Sequence, residues 1–174
     1  MVSKMDAVFE WLDNFLESGK KIVVFGWHKE CLDLLEERYG QLSVRIDGAT
    51  PTNKRGDLVK KFQEEEEVKM FIGNIKAAGV GLTLTAASTV AFCELGWTPG
   101  EMLQAEDRCH RISQKECVNV YYFVGQNTIE EKIMTLLDEK MKLINKIIDG
   151  KEADEKYLLM KLLMDYGLKN IKEN

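Results

Sequence analysis

Short apolar runs alternate with longer stretches of helical spacing over most of the chain. The runs at residues 22–25, 42–46, 68–72, 89–93 and 118–124 predict five strands, and the first is apolar throughout, as in a strand buried on both faces. Two segments that flank the strands, one near each end of the chain, also carry apolar stripes. Near the N-terminus, helical spacing predicts one apolar helix face that consists of Val8, Trp11, Leu12, Phe15 and Leu16.

Capping signals predict where helices begin between the strands. Pro51 can occupy the first position of one helix, with Thr50 as its cap. The sequence TPGE at 98–101 is a capping box for a helix that reaches Arg111, and TIEE at 128–131 opens a long helix that Gly150 can close. A further helix over residues 28–39 is ended by Gly40.

This alternation predicts an α/β fold of three layers, a mostly parallel sheet with helices on both faces and right-handed crossovers. Ligands gather at the carboxyl ends of the strands in such sheets. The loops after residues 25, 46, 72 and 93 are therefore the first places to look for function. We expect residues 1–150 to form one lobe that includes the N-terminal helix, and residues 151–174 to form a docking helix. An exposed surface for a missing partner is the alternative for that last segment.

Composition narrows the class of protein. The 174 residues are 45% hydrophobic and 30% charged, with no apolar run long enough for a membrane span and no signal peptide, which predicts an intracellular protein without a membrane partner. The net charge of −5 means that any DNA contact must come from a local basic patch. The four cysteines contain no C-x-x-C pair, so we expect no metal site. The acidic run at 64–67 is interpreted as a solvated helix end.

The segment QAEDRCHRISQ at 104–114 offers the most specific chemistry. Arg108 and Arg111 are three residues apart on a predicted helix, so their guanidinium groups can share one face. Such groups can offset the charge that spreads over the γ-phosphate oxygens during phosphoryl transfer. From spacing alone, a solvated helix with ordinary Glu and Arg pairs remains an alternative.

Three other segments suggest ligand contacts. In NIKAAGVGLTLTAA at 74–87, Gly79 and Gly81 permit close approach of backbone to a ligand, or simply form a strand-to-helix loop. In DGATPTNKR at 47–55, Lys54 and Arg55 add positive charge to a helix start that can bind phosphate, although a solvated turn fits equally. Trp97 either packs in the core or contacts a ligand.

These segments, in this order, resemble the C-terminal RecA-like lobe of the Swi/Snf-like helicases of superfamily two. Residues 104–114 resemble motif VI, residues 74–87 resemble motif V, and the resemblance runs from about residue 19 to residue 141. The sequence at 90–114 is most similar to the annealing-helicase and fork-remodelling branch. The resemblance implies a RecA-like fold of the P-loop NTPase type.

The resemblance also implies roles for individual residues. Arg108 and Arg111 would approach the ATP phosphates as catalytic arginines, with Gln104, Gly79 and Gly81 beside the nucleotide. The expected DNA contacts are Asn74, Lys76, Leu82, Thr83, Trp97, Lys54 and Arg55.

The implied function is the second motor lobe of an ATP-dependent translocase on double-stranded DNA, of the DNA-remodelling or annealing-helicase type. The chain has neither a G-x-x-x-x-G-K-[ST] loop nor an Asp-Glu box, so ATP and Mg²⁺ would be held mainly by an absent first lobe of the same polypeptide. The lobe alone would therefore be inactive, although it forms part of an ATP hydrolase. We expect it in the nucleus of a eukaryote, or otherwise in the cytoplasm. A non-enzymatic RecA-like module that binds nucleic acid or protein, or a lobe of an RNA helicase, are the alternatives.

Overall fold

A computed structural model describes residues 2–78, 82–96, 99–106 and 117–148. The chain divides into two compact units, Met1–Glu131 and Lys132–Asn174, and the first contains the whole sheet. In the second unit, the described residues continue a helix to Ile148, on whose exposed side Lys142 pairs with Asp138 at 2.6 Å. The predicted docking helix at 151–174 and the predicted helix end at Gly150 lie outside the described residues.

A parallel sheet of five strands forms the centre of the first unit. The strands are β1 (Ile22–Gly26), β2 (Ser43–Ile46), β3 (Met70–Asn74), β4 (Thr89–Phe92) and β5 (Asn119–Tyr122), and they lie in the order β2-β3-β1-β4-β5. Every paired strand runs parallel to its neighbour. All five predicted strands are thus present, and the α/β fold with a parallel sheet is confirmed.

Helices connect the strands, as crossovers between parallel strands require, and two further helices precede β1 and follow β5. They are α1 (Val2–Leu16), α2 (Lys29–Tyr39), α3 (Thr52–Glu64), α4 (Ile75–Ala78), α5 (Pro99–Glu106) and α6 (Ile129–Ile148), and a short 3-10 turn covers Gly40–Leu42. Thr128 caps α6, because its Oγ1 accepts a hydrogen bond from Glu130 N at 3.2 Å, but the reciprocal bond of a full capping box is displaced. The Glu131 carboxylate accepts from Asn127 N at 3.1 Å, one residue earlier than the usual pattern.

The two faces of the sheet bury different helices. Successive side chains of a strand point to opposite faces, so Val24 and Ile72 share one face with α1 and α2, whose Val8 and Leu35 are fully buried. On the other face, Phe62 of α3 packs edge-on against Phe71 of β3, with ring centroids 5.7 Å apart. The predicted arrangement of helices on both faces is therefore confirmed.

The predicted apolar face of α1 also exists. Val8 and Leu12 are fully buried against the sheet, and Trp11 and Phe15 are half-buried. The Trp11 ring lies 5.2 Å from the ring of Phe123, which follows β5. The helix thus packs on the sheet domain.

Two boundaries differ from the prediction because of hydrogen bonds in turns. Pro51 is the cap residue of α3 and not its first helical residue, and Thr50 does not cap the helix because its Oγ1 accepts from Asp47 N at 3.0 Å and closes the turn. Strand β3 begins two residues late because Val68 N bonds Glu65 O at 3.3 Å, which draws it into the turn after α3. Helix α5 is described only to Glu106, so its predicted extension to Arg111 lies outside the described residues.

The acidic run at 64–67 is exposed at the end of α3, as predicted. None of the helices in the described ranges is long and apolar enough to cross a membrane. Over the same ranges, no group of three or more His, Cys, Asp or Glu side chains could hold a metal ion.

Candidate functional site

The carboxyl ends of β3, β1 and β4 lie side by side, because these strands are neighbours in the sheet. The residues that follow them, at 27–28, 75–78 and 93–96, therefore meet at one edge. Binding sites of open parallel sheets occupy this edge. Three side chains, Glu94, Asn74 and Lys76, connect the loops there.

Glu94 holds the loop after β1. Its Oε2 accepts hydrogen bonds from the backbone N–H of Trp27 and of His28, both at 2.8 Å, and its Oε1 lies 2.9 Å from the His28 ring nitrogen Nδ1. Burial raises the pKa of the Glu94 carboxyl, but the hydrogen bonds from His28 and Trp27 lower it by more, so the pKa lies below its ordinary value of 4.5. The carboxylate is therefore a charged bridge between the ends of β1 and β4.

Asn74, the last residue of β3, holds the same loop from the other side. Its Nδ2 donates to the Trp27 carbonyl oxygen at 2.7 Å, and its Oδ1 accepts from Lys76 N at 3.0 Å. The side chain thus fixes the start of α4 and the backbone of Trp27 together. Neither the N–H nor the C=O of Trp27 is left to solvent.

Lys76 lies on α4 and is exposed. Its Nζ is 4.5 Å from the centroid of the Trp27 ring, a distance at which the ring face attracts an ammonium group. The edge of the sheet therefore presents a positive charge on an aromatic platform.

A second feature follows β2, where Asp47 begins a rigid turn. Arg45 Nη2 donates to Asp47 Oδ2 at 2.8 Å, and Asp47 Oδ1 accepts from Ala49 N at 2.9 Å. Burial raises the pKa of Asp47, but the hydrogen bonds from Arg45 and Ala49 outweigh it and leave the pKa below its ordinary value. Arg55 closes the turn by donating to the carbonyl oxygens of Thr50, at 3.1 Å, and of Asp47, at 3.0 Å.

The predicted site residues fall into three groups. Asn74 and Lys76 meet at the edge as described, and Lys54 is exposed beside the turn that Arg55 braces. Leu82 is buried, Thr83 is half-buried and Gln104 is exposed on α5. Gly79, Gly81, Trp97, Arg108 and Arg111 lie outside the described residues.

Sequence reasoning missed Glu94 and Trp27. A carboxylate directly after a fully buried strand, at the edge where ligands gather, was the available signal for Glu94. Trp27 had a similar signal, because an aromatic residue follows β1 at the same edge. The ring of the next residue, His28, lies against Glu94.

Residues 3–113 match the family model described as the helicase conserved C-terminal domain. The chain belongs to this family. Over 146 residues it is 41% identical to the SWI/SNF-related matrix-associated actin-dependent regulator of chromatin subfamily A-like protein 1 of Xenopus tropicalis, covering 82% of this chain. It is also 36% identical over 155 residues to the mouse DNA annealing helicase and endonuclease ZRANB3, covering 87% of this chain.

A solved structure supports the same assignment. The C-terminal part of the Fun30 ATPase domain matches 77% of this chain and 44% of its own, with a TM-score of 0.72 and 33% identity. The helicase domain is therefore a C-terminal RecA-like lobe of the Swi/Snf-like branch, which confirms the resemblance found in the sequence. The chain spans only 16% of the Xenopus protein and 14% of the mouse protein.

Proposed function

We propose that the chain is the second motor lobe of an ATP-dependent translocase on double-stranded DNA. One observation carries this proposal. The loops after β1, β3 and β4 meet at Trp27, and the Trp27 ring lies against Lys76 at the ligand-binding edge of a helicase C-terminal domain. The names of two relatives, an annealing helicase and a regulator of chromatin, fit a motor that works on duplex DNA. In a eukaryote, such a motor works in the nucleus.

The DNA track in this proposal combines the two features at the sheet edge. Lys76 and Asn74 contact the DNA backbone from the loop after β3, and Lys54 and Arg55 do so from the turn after β2. Lys54 is exposed, and Arg55 keeps its turn in one conformation. Leu82, Thr83 and Trp97 complete the track through the motif V and motif VI resemblance.

ATP is held mainly by a first lobe, together with Mg²⁺, in the proposed motor. Arg108 and Arg111 reach the phosphates across the cleft, and Gln104, Gly79 and Gly81 lie beside the nucleotide. An arginine that offsets charge on the transferred phosphoryl group contributes roughly 10³ to 10⁵ in rate where it has been measured. The second lobe alone therefore binds DNA but does not hydrolyse ATP.

The test supplies the chain, by fusion or in trans, with the first motor lobe of the Xenopus relative. Duplex DNA should then stimulate ATP hydrolysis, and Arg111→Ala should abolish the stimulation. Arg38→Lys, which keeps its charge on helix α2, is the control and should leave hydrolysis unchanged. Hydrolysis that is unaffected by Arg111→Ala would refute the role given to Arg111.

The nucleic acid separates the alternative functions. Stimulation by RNA but not by duplex DNA would identify a lobe of an RNA helicase, and DNA binding without any stimulated hydrolysis would identify a non-enzymatic module. For the DNA face, Lys76→Glu should weaken duplex binding by the complete enzyme and flatten its dependence on salt, because one phosphate contact is lost. Equal binding across a salt titration would refute that placement of Lys76.

A further inference from the structure

Trp27 is the residue on which the loops of the sheet edge converge, and family membership gives it no role. We infer that Trp27 is a positioning residue, whose indole face holds the Lys76 ammonium where it meets the DNA backbone. The inference rests on the proposed function, and it adds a residue through which that function is achieved.

The backbone of Trp27 is fixed from both neighbouring strands. Glu94, after β4, accepts its N–H at 2.8 Å, and Asn74, at the end of β3, donates to its carbonyl oxygen at 2.7 Å. The backbone from which the indole projects is therefore anchored on both sides. The ring is also half-buried, and a Cβ at Gly96 would lie 3.5 Å from its Cζ3. The indole is thus a partly buried ring that projects from an anchored backbone.

Lys76 is directed onto this surface by its own backbone. Its N–H donates to Asn74 Oδ1 at 3.0 Å, so the same amide that fixes Trp27 also fixes the start of α4. The Lys76 Nζ then lies 4.5 Å from the ring centroid. Within the described ranges, no carboxylate pairs with Lys76, so none of the described residues neutralises its ammonium charge.

The contact between the Lys76 ammonium and the Trp27 ring leaves the ammonium able to bind a phosphate. An ammonium group has three N–H donors and the ring face occupies only one side of it, so donors remain for a phosphate oxygen. A free lysine side chain loses much rotamer freedom when it binds, whereas one already held on a ring loses less. The indole therefore strengthens a phosphate contact without making one itself.

A double-mutant cycle on the full chain tests the inference. Binding of a fluorescein-labelled DNA duplex is followed by anisotropy in a salt titration that begins at low ionic strength, for the wild type, Lys76→Ala, Trp27→Leu and the double variant. Lys76→Ala should reduce the salt slope by about one. Trp27→Leu should weaken binding about two- to fivefold, with little further effect when Lys76 is already alanine.

Two variants serve as matched controls. Trp27→Phe keeps a ring face and should lose less affinity than Trp27→Leu, and it replaces Trp27→Leu in the cycle if the leucine variant fails to fold. Trp11→Phe changes a tryptophan of α1 that stacks on Phe15, at a centroid distance of 5.5 Å, and should not alter DNA binding. Thermal unfolding of every variant separates loss of fold from loss of contact.

The outcomes are distinct. If the Trp27 substitution weakens binding equally with and without Lys76, the ring acts on its own and the inference is overturned. If Lys76→Ala has no effect, or the wild type does not bind the duplex, both the DNA face and this inference are overturned. The ATP-hydrolysis test of Arg111 remains independent of this result. Non-additive substitutions at Trp27 and Lys76 support the inference.

Discussion

Glu94 binds His28 twice, accepting its backbone N–H at 2.8 Å with one carboxylate oxygen and lying 2.9 Å from its ring nitrogen Nδ1 with the other. The Glu94 side chain is only 14% exposed, whereas that of His28 is 63% exposed. The buried partner therefore fixes the exposed one. This arrangement makes Glu94 the residue whose removal should disturb the sheet edge most.

Glu94→Gln should lower the free energy of unfolding by roughly 1–3 kcal/mol. The amide oxygen can still accept from the N–H groups of Trp27 and His28, but these bonds lose their negatively charged acceptor, and an NH₂ group replaces the oxygen beside His28 Nδ1. Urea denaturation measures the change. Glu37→Gln on the exposed face of α2 is the matched control and should change stability by less than about 0.5 kcal/mol. Equal stability of Glu94→Gln and the wild type would refute the bridging role.

The advantage of Glu94 over glutamine should depend on pH. Because the folded-state pKa of Glu94 lies below its ordinary value of 4.5, the charged form stabilises the fold above that pH, and this stabilisation is lost as the pH falls through the folded pKa. The difference in unfolding free energy between wild type and Glu94→Gln should be constant near neutral pH and shrink below about 4.5. Urea titrations at a series of pH values measure it, and a difference that grows in acid would contradict the assignment.

Arg55 and Lys54 are neighbours in sequence, but they should respond differently to substitution. Arg55→Ala removes the donors to the carbonyl oxygens of Asp47 and Thr50 and should cost about 1–2 kcal/mol of stability. Lys54→Ala removes an exposed charge and should change stability by less than about 0.5 kcal/mol. Thermal unfolding of both variants compares them. Similar losses in the two would show that the turn does not depend on Arg55.

Two glycine-to-alanine substitutions should act in opposite directions. A Cβ at Gly73 in β3 would lie 2.9 Å from ring carbons of Phe25 and Phe71, so Gly73→Ala should cost roughly 1–3 kcal/mol through overpacking. A Cβ at Gly56, inside α3, would meet nothing within 4 Å, so Gly56→Ala should gain about 0.5–1 kcal/mol of helix stability. Urea midpoints of the two variants should therefore move to opposite sides of the wild type. A stabilising Gly73→Ala would contradict the described packing.

The sequence predicted the elements well because their signals are local. Buried strands such as Ile22–Gly26 are apolar throughout, and helix starts carry capping residues. Boundaries failed where a local turn competed with the expected helix cap or strand start, as when Thr50 closed a turn on Asp47 and did not cap α3. Motif resemblance led to Lys76 and Asn74. It could not show that Lys76 lies against Trp27 or that Glu94 binds the Trp27 backbone. Both contacts depend on which strands are neighbours in the sheet.

The order of strands in the sheet also governs when the edge that we propose faces DNA is formed. Trp27 is joined to Asn74 across 47 residues and to Glu94 across 67 residues, so the first contact cannot close until β3 lies beside β1, and the second cannot close until β4 does. Contacts this distant in sequence are slow to form during folding. A nascent chain that has not yet been synthesised as far as Glu94 therefore has no such edge, and an incompletely made lobe cannot engage nucleic acid through it.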